Sequence, residues 1–405
     1  MTIWEDPIKF LNDWLAGILN AVVDFLNLPA GTTNFILNLI GVIIVATFGL
    51  LLVIFLTWLE RKVAARFQDR FGPNRAGPYG IFQSFADMIK LITKEDITPT
   101  GADKISYNIA PLLSVASVIL IWAVVPFTAT WVGADINVGV LYIAAVGSFG
   151  ILSVLMAGWS SNNKYALLGA FRAVAQLISY EVPLFLALLI PVLLARSMGI
   201  NTIVEAQGTW FVVLAPLPFL IFLTSSIAEI GRTPFDLLEA ESEIVAGFHI
   251  EYTGMKYGMF MAGEFLHAFT ISVLTGILFF GGWQGPMVDT YPLLGVVYLM
   301  TKAFIVYFIV MWVRSTLPRV RIDHLMAFNW KFLVPLSLVM LIVTALLDKA
   351  FEAHSLHTWI LLGANVVVAL ITVQILRVTG RRKEKELETF PKRPVAVPPK
   401  EEAPA

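Results

Sequence analysis

Apolar residues fall in long runs along this chain, at roughly 35–59, 109–127, 138–159, 182–198, 210–228, 257–280, 293–313, 332–347 and 358–378. About 20 consecutive apolar residues are what an α-helix needs to cross a bilayer. The pattern therefore predicts an all-α polytopic membrane protein with about nine transmembrane helices in one bundle over residues 35–378. In the fourth run Pro183 sits where a helix would open, and the eighth run is short.

Two stretches alternate differently. Trp4, Ile8, Leu11, Leu15, Ile18, Val22 and Phe25 recur three or four apart, with Asn12, Asp13, Asn20 and Asp24 off that stripe. This predicts an amphipathic helix lying in the membrane interface within residues 1–34. Ile81, Phe85, Met88 and Ile92 form a second stripe, opposite Gln83, Asp87, Lys90 and Lys94, which predicts a surface helix beside the bundle.

The loops between the runs sort by charge. Those over 60–108, 160–181, 229–256 and 314–331 hold 16 Lys and Arg, joined on the same side by the basic tail from Arg381, and the opposite loops hold only Lys9, Arg196 and Lys349. Basic loops stay in the cytoplasm, so the expected orientation is N-terminus outside and C-terminus inside. Residues 379–405 are charged and proline-rich and read as a disordered tail.

Composition narrows the chemistry. The chain has 405 residues, 58% apolar and 14% charged, with mean hydropathy +0.78. It has no cysteine, which excludes cysteine-ligated iron–sulfur clusters, disulfides and thiol nucleophiles. Electron carriers, if the protein serves redox chemistry, belong to partner chains. Neither a Walker A loop nor a Rossmann fingerprint is present. The Glu-x-x-His at Glu264 and His267 has no second copy, so a di-iron bundle is not expected; His354 and His357, one turn apart, are a weak metal candidate. No metal site is assigned.

Candidate chemistry gathers in polar positions inside or beside the apolar runs. Glu181 opens the fourth run, Glu229 ends the fifth, Glu264 lies in the sixth and Lys302 in the seventh. Such groups are costly near a bilayer core and face the bundle interior when they serve a function; the bland readings are snorkelling for Glu181 and Glu229 and a buried structural pair for Glu264 and Lys302. From Glu229 to Glu251 the chain carries Glu229, Asp236, Glu239, Glu241, Glu243 and Glu251 against the one strong base Arg232 before His249. A helix after Pro234 would put Asp236, Glu239 and Glu243 on one face. Carboxylates that close titrate as a coupled set, the chemistry of a proton relay; a solvated acidic loop is the alternative. Glu60 and Arg61 end the first run, and Arg66, Arg70 and Arg75 follow in a Gly/Pro-rich segment. These bases either anchor the loop to lipid headgroups or line a polar chamber with Asp87.

Four segments carry a resemblance: ERKVAARFQDRFGPNRAGPYGIFQSFADMIKLITKED, NNKYALLGAFRAVAQLISYEVP, EIGRTPFDLLEAESEIVAGFHIEY and RSTLPRVRIDHLMAFNWKFLVP. Together they resemble the H-subunit family of bacterial respiratory complex I, whose mitochondrial counterpart is subunit 1. The resemblance runs from about Leu59 through the eighth run. It implies a subunit of a proton-translocating NADH:quinone oxidoreductase with no complete active site of its own. Ubiquinone or menaquinone would be the substrate. FMN and iron–sulfur clusters would lie in partner subunits: the peripheral arm on the cytoplasmic side, and small and antiporter-like subunits in the bilayer. Nucleic acid is not an expected partner. The matching positions place Arg61, Arg66, Arg70, Asp87, Phe260, Phe265 and Arg314 at the quinone tunnel. They place Glu60, Glu181, Glu229, Asp236, Glu239, Glu241, Glu243, Glu251 and Glu264 in the carboxylate chain. This sequence departs from the family in having Phe265 where tyrosine is frequent and His267 where asparagine is common. An anchor subunit of a membrane-bound hydrogenase, or of an oxidoreductase with another donor, is the nearest alternative. An ion-coupled transporter is the alternative of another class, disfavoured by the absence of internal repeats.

Overall fold

The structure, a computed structural model, describes residues 9, 13–18, 20, 32–237, 246–288, 290–351 and 357–389. Most of the expected in-plane N-terminal helix lies outside these residues, as do Glu239, Glu241, Glu243, His354 and the chain beyond 389.

The described residues are helical over most of each apolar run. In chain order the helices are α1 (Thr32–Phe67), α2 (Gln83–Thr93), α3 (Lys104–Trp122), α4 (Gly139–Ser160), α5 (Lys164–Ala195), α6 (Ile200–Glu205), α7 (Phe211–Leu214), α8 (Pro216–Ile230), α9 (Gly254–Phe279), α10 (Leu293–Thr316) and α11 (Ile322–Phe328). A π-helical turn, Asn329–Leu333, joins α11 to α12 (Val334–Phe351), and α13 spans His357–Thr389. Eight of these segments are long and apolar enough to cross a membrane, Ile322–Phe351 counting as one; Pro216–Ile230 is a shorter apolar helix.

Several boundaries differ from the hydropathy pattern. α5 starts at Lys164, where the Asn163 side chain accepts from the Tyr165 N–H. Residues 164–181 are thus helix rather than loop, and Pro183 lies inside the helix instead of opening it. The fifth span is broken at Ala215 (φ −135°, ψ 62°), between α7 and α8. Residues 231–237 form turns, so Asp236 is not on a helix. α13 continues past the apolar run to Thr389, where the charge pattern suggests an irregular tail.

The prolines explain how these segments hold together. A proline inside a helix supplies no N–H to the carbonyl four residues before it, and a membrane offers no water in exchange. Three such carbonyls are taken up by side chains from distant elements. Tyr252 donates to the Tyr107 carbonyl freed by Pro111 (3.2 Å). Asn329 Nδ2 donates to the Ser179 carbonyl freed by Pro183 (2.6 Å). Asn365 Nδ2 donates to the Leu214 carbonyl, which Pro218 leaves without a partner (3.1 Å). Each bond ties a loop or outer helix to a core span.

α9 is the hub. Most of its length is buried, and it packs against α1, α2, α3, α8 and α10. Close approach is possible because small residues line the contact: a Cβ on Gly263 would come within 2.7 Å of Ser114 Oγ on α3. Glu264 and His267 follow on the same helix, so the packing hub also carries the polar groups.

Candidate functional site: a large cavity and a buried ion chain

The cytoplasmic end of α1 starts the site. Glu60 is buried there although it is a carboxylate, and it is matched by bases from two other elements. Arg232, in the turn after α8, donates Nη1 to Glu60 Oε1 at 3.2 Å and Nε to Glu264 Oε1 at 2.7 Å. Arg314, on α10, also pairs with Glu60. Tyr307 donates to Glu60 Oε2 at 3.3 Å. Two carboxylates thus face two guanidiniums, a balance that burial demands. The Arg232 guanidinium also lies 4.7 Å from the Phe265 ring centre, a cation–π contact.

This cluster forms one wall of a cavity of about 1280 Å³. Its polar lining includes Arg61, Arg70, Asp87, Arg232 and Arg314, and its apolar lining includes Phe265 and Met261. Toward the bilayer the lining continues along α1 to Leu50 and Leu51, both about half exposed. The opposite wall is the loop before α2. Gly80 (φ 77°) turns that loop tightly against Pro73, leaving no room for a Cβ. α2 then presents Asp87 to the cavity while Ile89 and Ile92 stay exposed. Asp87 pairs with Arg61. Burial pushes its carboxyl up, but Arg61, by hydrogen bond and charge, with Gln83 and Lys90, outweighs burial and holds it below the usual carboxylate range.

Behind the ion cluster lie two small cavities. One, of about 80 Å³, is lined by Glu229, Glu264, His249, His267 and Phe260. The next, of about 40 Å³, is lined by Glu181, Glu229 and His267. Each has room for a few water molecules. His267 Nε2 lies 3.9 Å from Glu229 Oε1. The order is therefore Glu60, Arg232, Glu264, then Glu229 with His267, then Glu181.

The expected site residues are thus partly united. Glu60, Arg61, Arg70, Asp87, Phe265 and Arg314 line the large cavity; Glu264, Glu229 and Glu181 line the small ones. Phe260 packs on Tyr252 and Phe248 beside the first small cavity and not in the large one. Arg66 stands over the Phe71 ring (5.9 Å) and is not among the cavity linings. Glu251 accepts from Asn163 at 2.6 Å and anchors its loop to the start of α5. Asp236 has a buried Oδ1 without a hydrogen-bond partner among the described residues. Lys302 does not pair with Glu264: its Nζ donates to the carbonyls of Gly282 and Gln284, closing the turn after α9.

Sequence reasoning passes over Arg232, Tyr307, His249 and His267 as site residues. Arg232 carries a signal, being the lone strong base before the carboxylates. His267 stands one turn from Glu264, but the pattern reads first as half of a metal motif. Tyr307 in an apolar run reads as packing. His249 is buried, which pushes its imidazole down to about 4, so it is neutral at pH 7.

The fold and the site together define a multi-pass helical membrane protein in which a large amphipathic cavity adjoins a buried chain of ionisable groups. The chain matches the family described as NADH dehydrogenase over residues 40–345. It is 48% identical over 330 residues to the H subunit of the NADH-quinone oxidoreductase of Dehalococcoides mccartyi strain 195, covering 82% of this chain and 92% of that one. With its namesake from Geobacillus sp. strain WCH70 it shares 43% over 337 residues, 82% and 98% of the two chains. With that of Anoxybacillus flavithermus it shares 45% over 331 residues, 80% and 97%. The chain belongs to this family, the membrane H subunits of NADH-quinone oxidoreductase.

Proposed function

We propose that the large cavity is the quinone chamber of the complex and that the buried ion chain behind it couples quinone reduction to proton translocation. The chain is a membrane subunit of an enzyme whose complete active site spans several subunits. A quinone headgroup fits a chamber with guanidinium donors at its inner end and an apolar flank open to lipid. FMN and iron–sulfur clusters lie in partner subunits, as the absence of cysteine requires for the clusters. The basic loops face the cytoplasm and meet the peripheral arm there; the N-terminus is outside.

One observation carries the reading: Arg232 bridges Glu60, in the chamber wall, to Glu264, in the wall of the internal cavities. A change of charge in the chamber alters the field on Arg232 and hence on both carboxylates. Protons then redistribute along Glu264, Glu229 and Glu181, with Asp236, Glu239, Glu241 and Glu243 contributing from the cytoplasmic loop and Glu251 at its edge.

The test is Glu264→Gln and Glu229→Gln in the assembled complex, reading NADH-driven quinone reduction and proton release together. Both rates fall together under this reading. Normal assembly, turnover and proton yield in both variants would remove it.

A further inference from the structure

The two small cavities hold more than carboxylates. His267 lines both of them, and a quarter of its side-chain surface faces open space although it sits deep in α9. His249 lines the first cavity from the far wall, on the 3-10 turn Gly247–His249. It is 8% exposed, and its Nδ1 has no hydrogen-bond partner among the described residues. An imidazole nitrogen buried without a partner calls for a water molecule, and the cavity has room for a few. Ser114 and Ser117 complete the polar lining on α3.

We infer that His249 and His267 form a hydrated proton-binding station inside the bundle, and that His267 passes protons between Glu264 and Glu229. The inference rests on the carboxylate relay proposed above. Neutral imidazole presents one donor and one acceptor nitrogen on opposite sides of its ring, so it takes a proton at one and releases one at the other. At 3.9 Å the His267–Glu229 separation exceeds a direct hydrogen bond and is closed by a water or a small rotation. In the transfer, an O–H bond of the Glu264 carboxyl breaks as an N–H bond forms on His267, through cavity water. The imidazolium then releases that proton to the Glu229 carboxylate. No electron moves in either step.

The experiment is a redox-triggered infrared difference spectrum of the assembled complex in membranes, with ring-labelled histidine in the parent and in His267→Asn, His249→Asn, Glu229→Gln and Glu264→Gln. The inference predicts an imidazole protonation band on quinone reduction that is lost in His267→Asn and shifted in His249→Asn. The carboxyl bands assigned by the glutamine variants test the relay separately. Carboxyl bands without any imidazole band dependent on either histidine would overturn the station and leave the relay standing. Absence of both kinds of band would remove the relay and the station with it. If His267→Asn fails to assemble, the His249→Asn spectrum decides from the other wall: a shifted imidazole band supports the station and an unchanged one overturns it.

Discussion

At the scale of single residues, Arg232 is the group with most at stake. It satisfies two carboxylates from different helices through different nitrogens, Nη1 to Glu60 and Nε to Glu264. Removing one partner of a buried ion pair costs about 3–5 kcal/mol because the other charge stays behind. Arg232→Leu is therefore expected to lower assembled complex and quinone reduction steeply. Arg232→Lys restores little, since an ammonium lacks the fork that reaches both carboxylates; activity per assembled complex measures this. His249 gives a second residue-scale prediction. Burial holds its imidazole at about 4 against an ordinary value of 6.5, so the unfolded chain binds more protons than the folded one between those values. Stability is then fully present above about pH 6.5 and declines as pH falls toward 4, by up to about 1.4 kcal/mol per unit. Thermal inactivation of the complex between pH 7 and 5 should accelerate less in His249→Asn than in the parent.

Elements were legible where one physical signal decides them. Long apolar runs gave the spans, and the period-3.6 stripe from Ile81 to Ile92 gave α2. Boundaries set by distant partners were not legible. Pro183 reads as a helix start because proline suits a first turn, yet α5 runs through it because Asn329, 150 residues away in sequence, takes the Ser179 carbonyl. The break at Ala215 is similar: Asn365 on α13 holds the Leu214 carbonyl. Of the site, the carboxylates in the spans were legible from their cost in lipid. Arg232 as their bridge was not, because the bridge joins residues 172 positions apart. The bond at Asn365 makes a prediction at this scale. Asn365→Leu leaves an unpaired intramembrane carbonyl and loosens α13 from the broken span, at a cost of about 1 kcal/mol. Loss of activity on heating in detergent should begin at a lower temperature in that variant, and Asn365→Gln should recover part of the difference.

The whole molecule joins two compartments across one wall. The chamber sits between α1, α2, α9 and α10, the small cavities sit among α3, α4, α5, α8 and α9, and Arg232 spans the wall between them. Narrowing the chamber without touching the ions should separate the two roles. Ala262→Phe, on the chamber side of α9, is expected to raise the KM for quinone several-fold while leaving proton yield per electron unchanged; steady-state kinetics with proton counting in vesicles checks it.

The most direct test of the chamber is photo-crosslinking of the native membrane complex with a quinone analogue, followed by mapping of the labelled peptides. Label is expected between Glu60 and Lys90, near Phe265, and around Arg314, and excess unlabelled quinone should suppress it. Label confined to partner chains would contradict the account, reducing this subunit to an anchor and its arginine-rich loop to a contact with lipid headgroups.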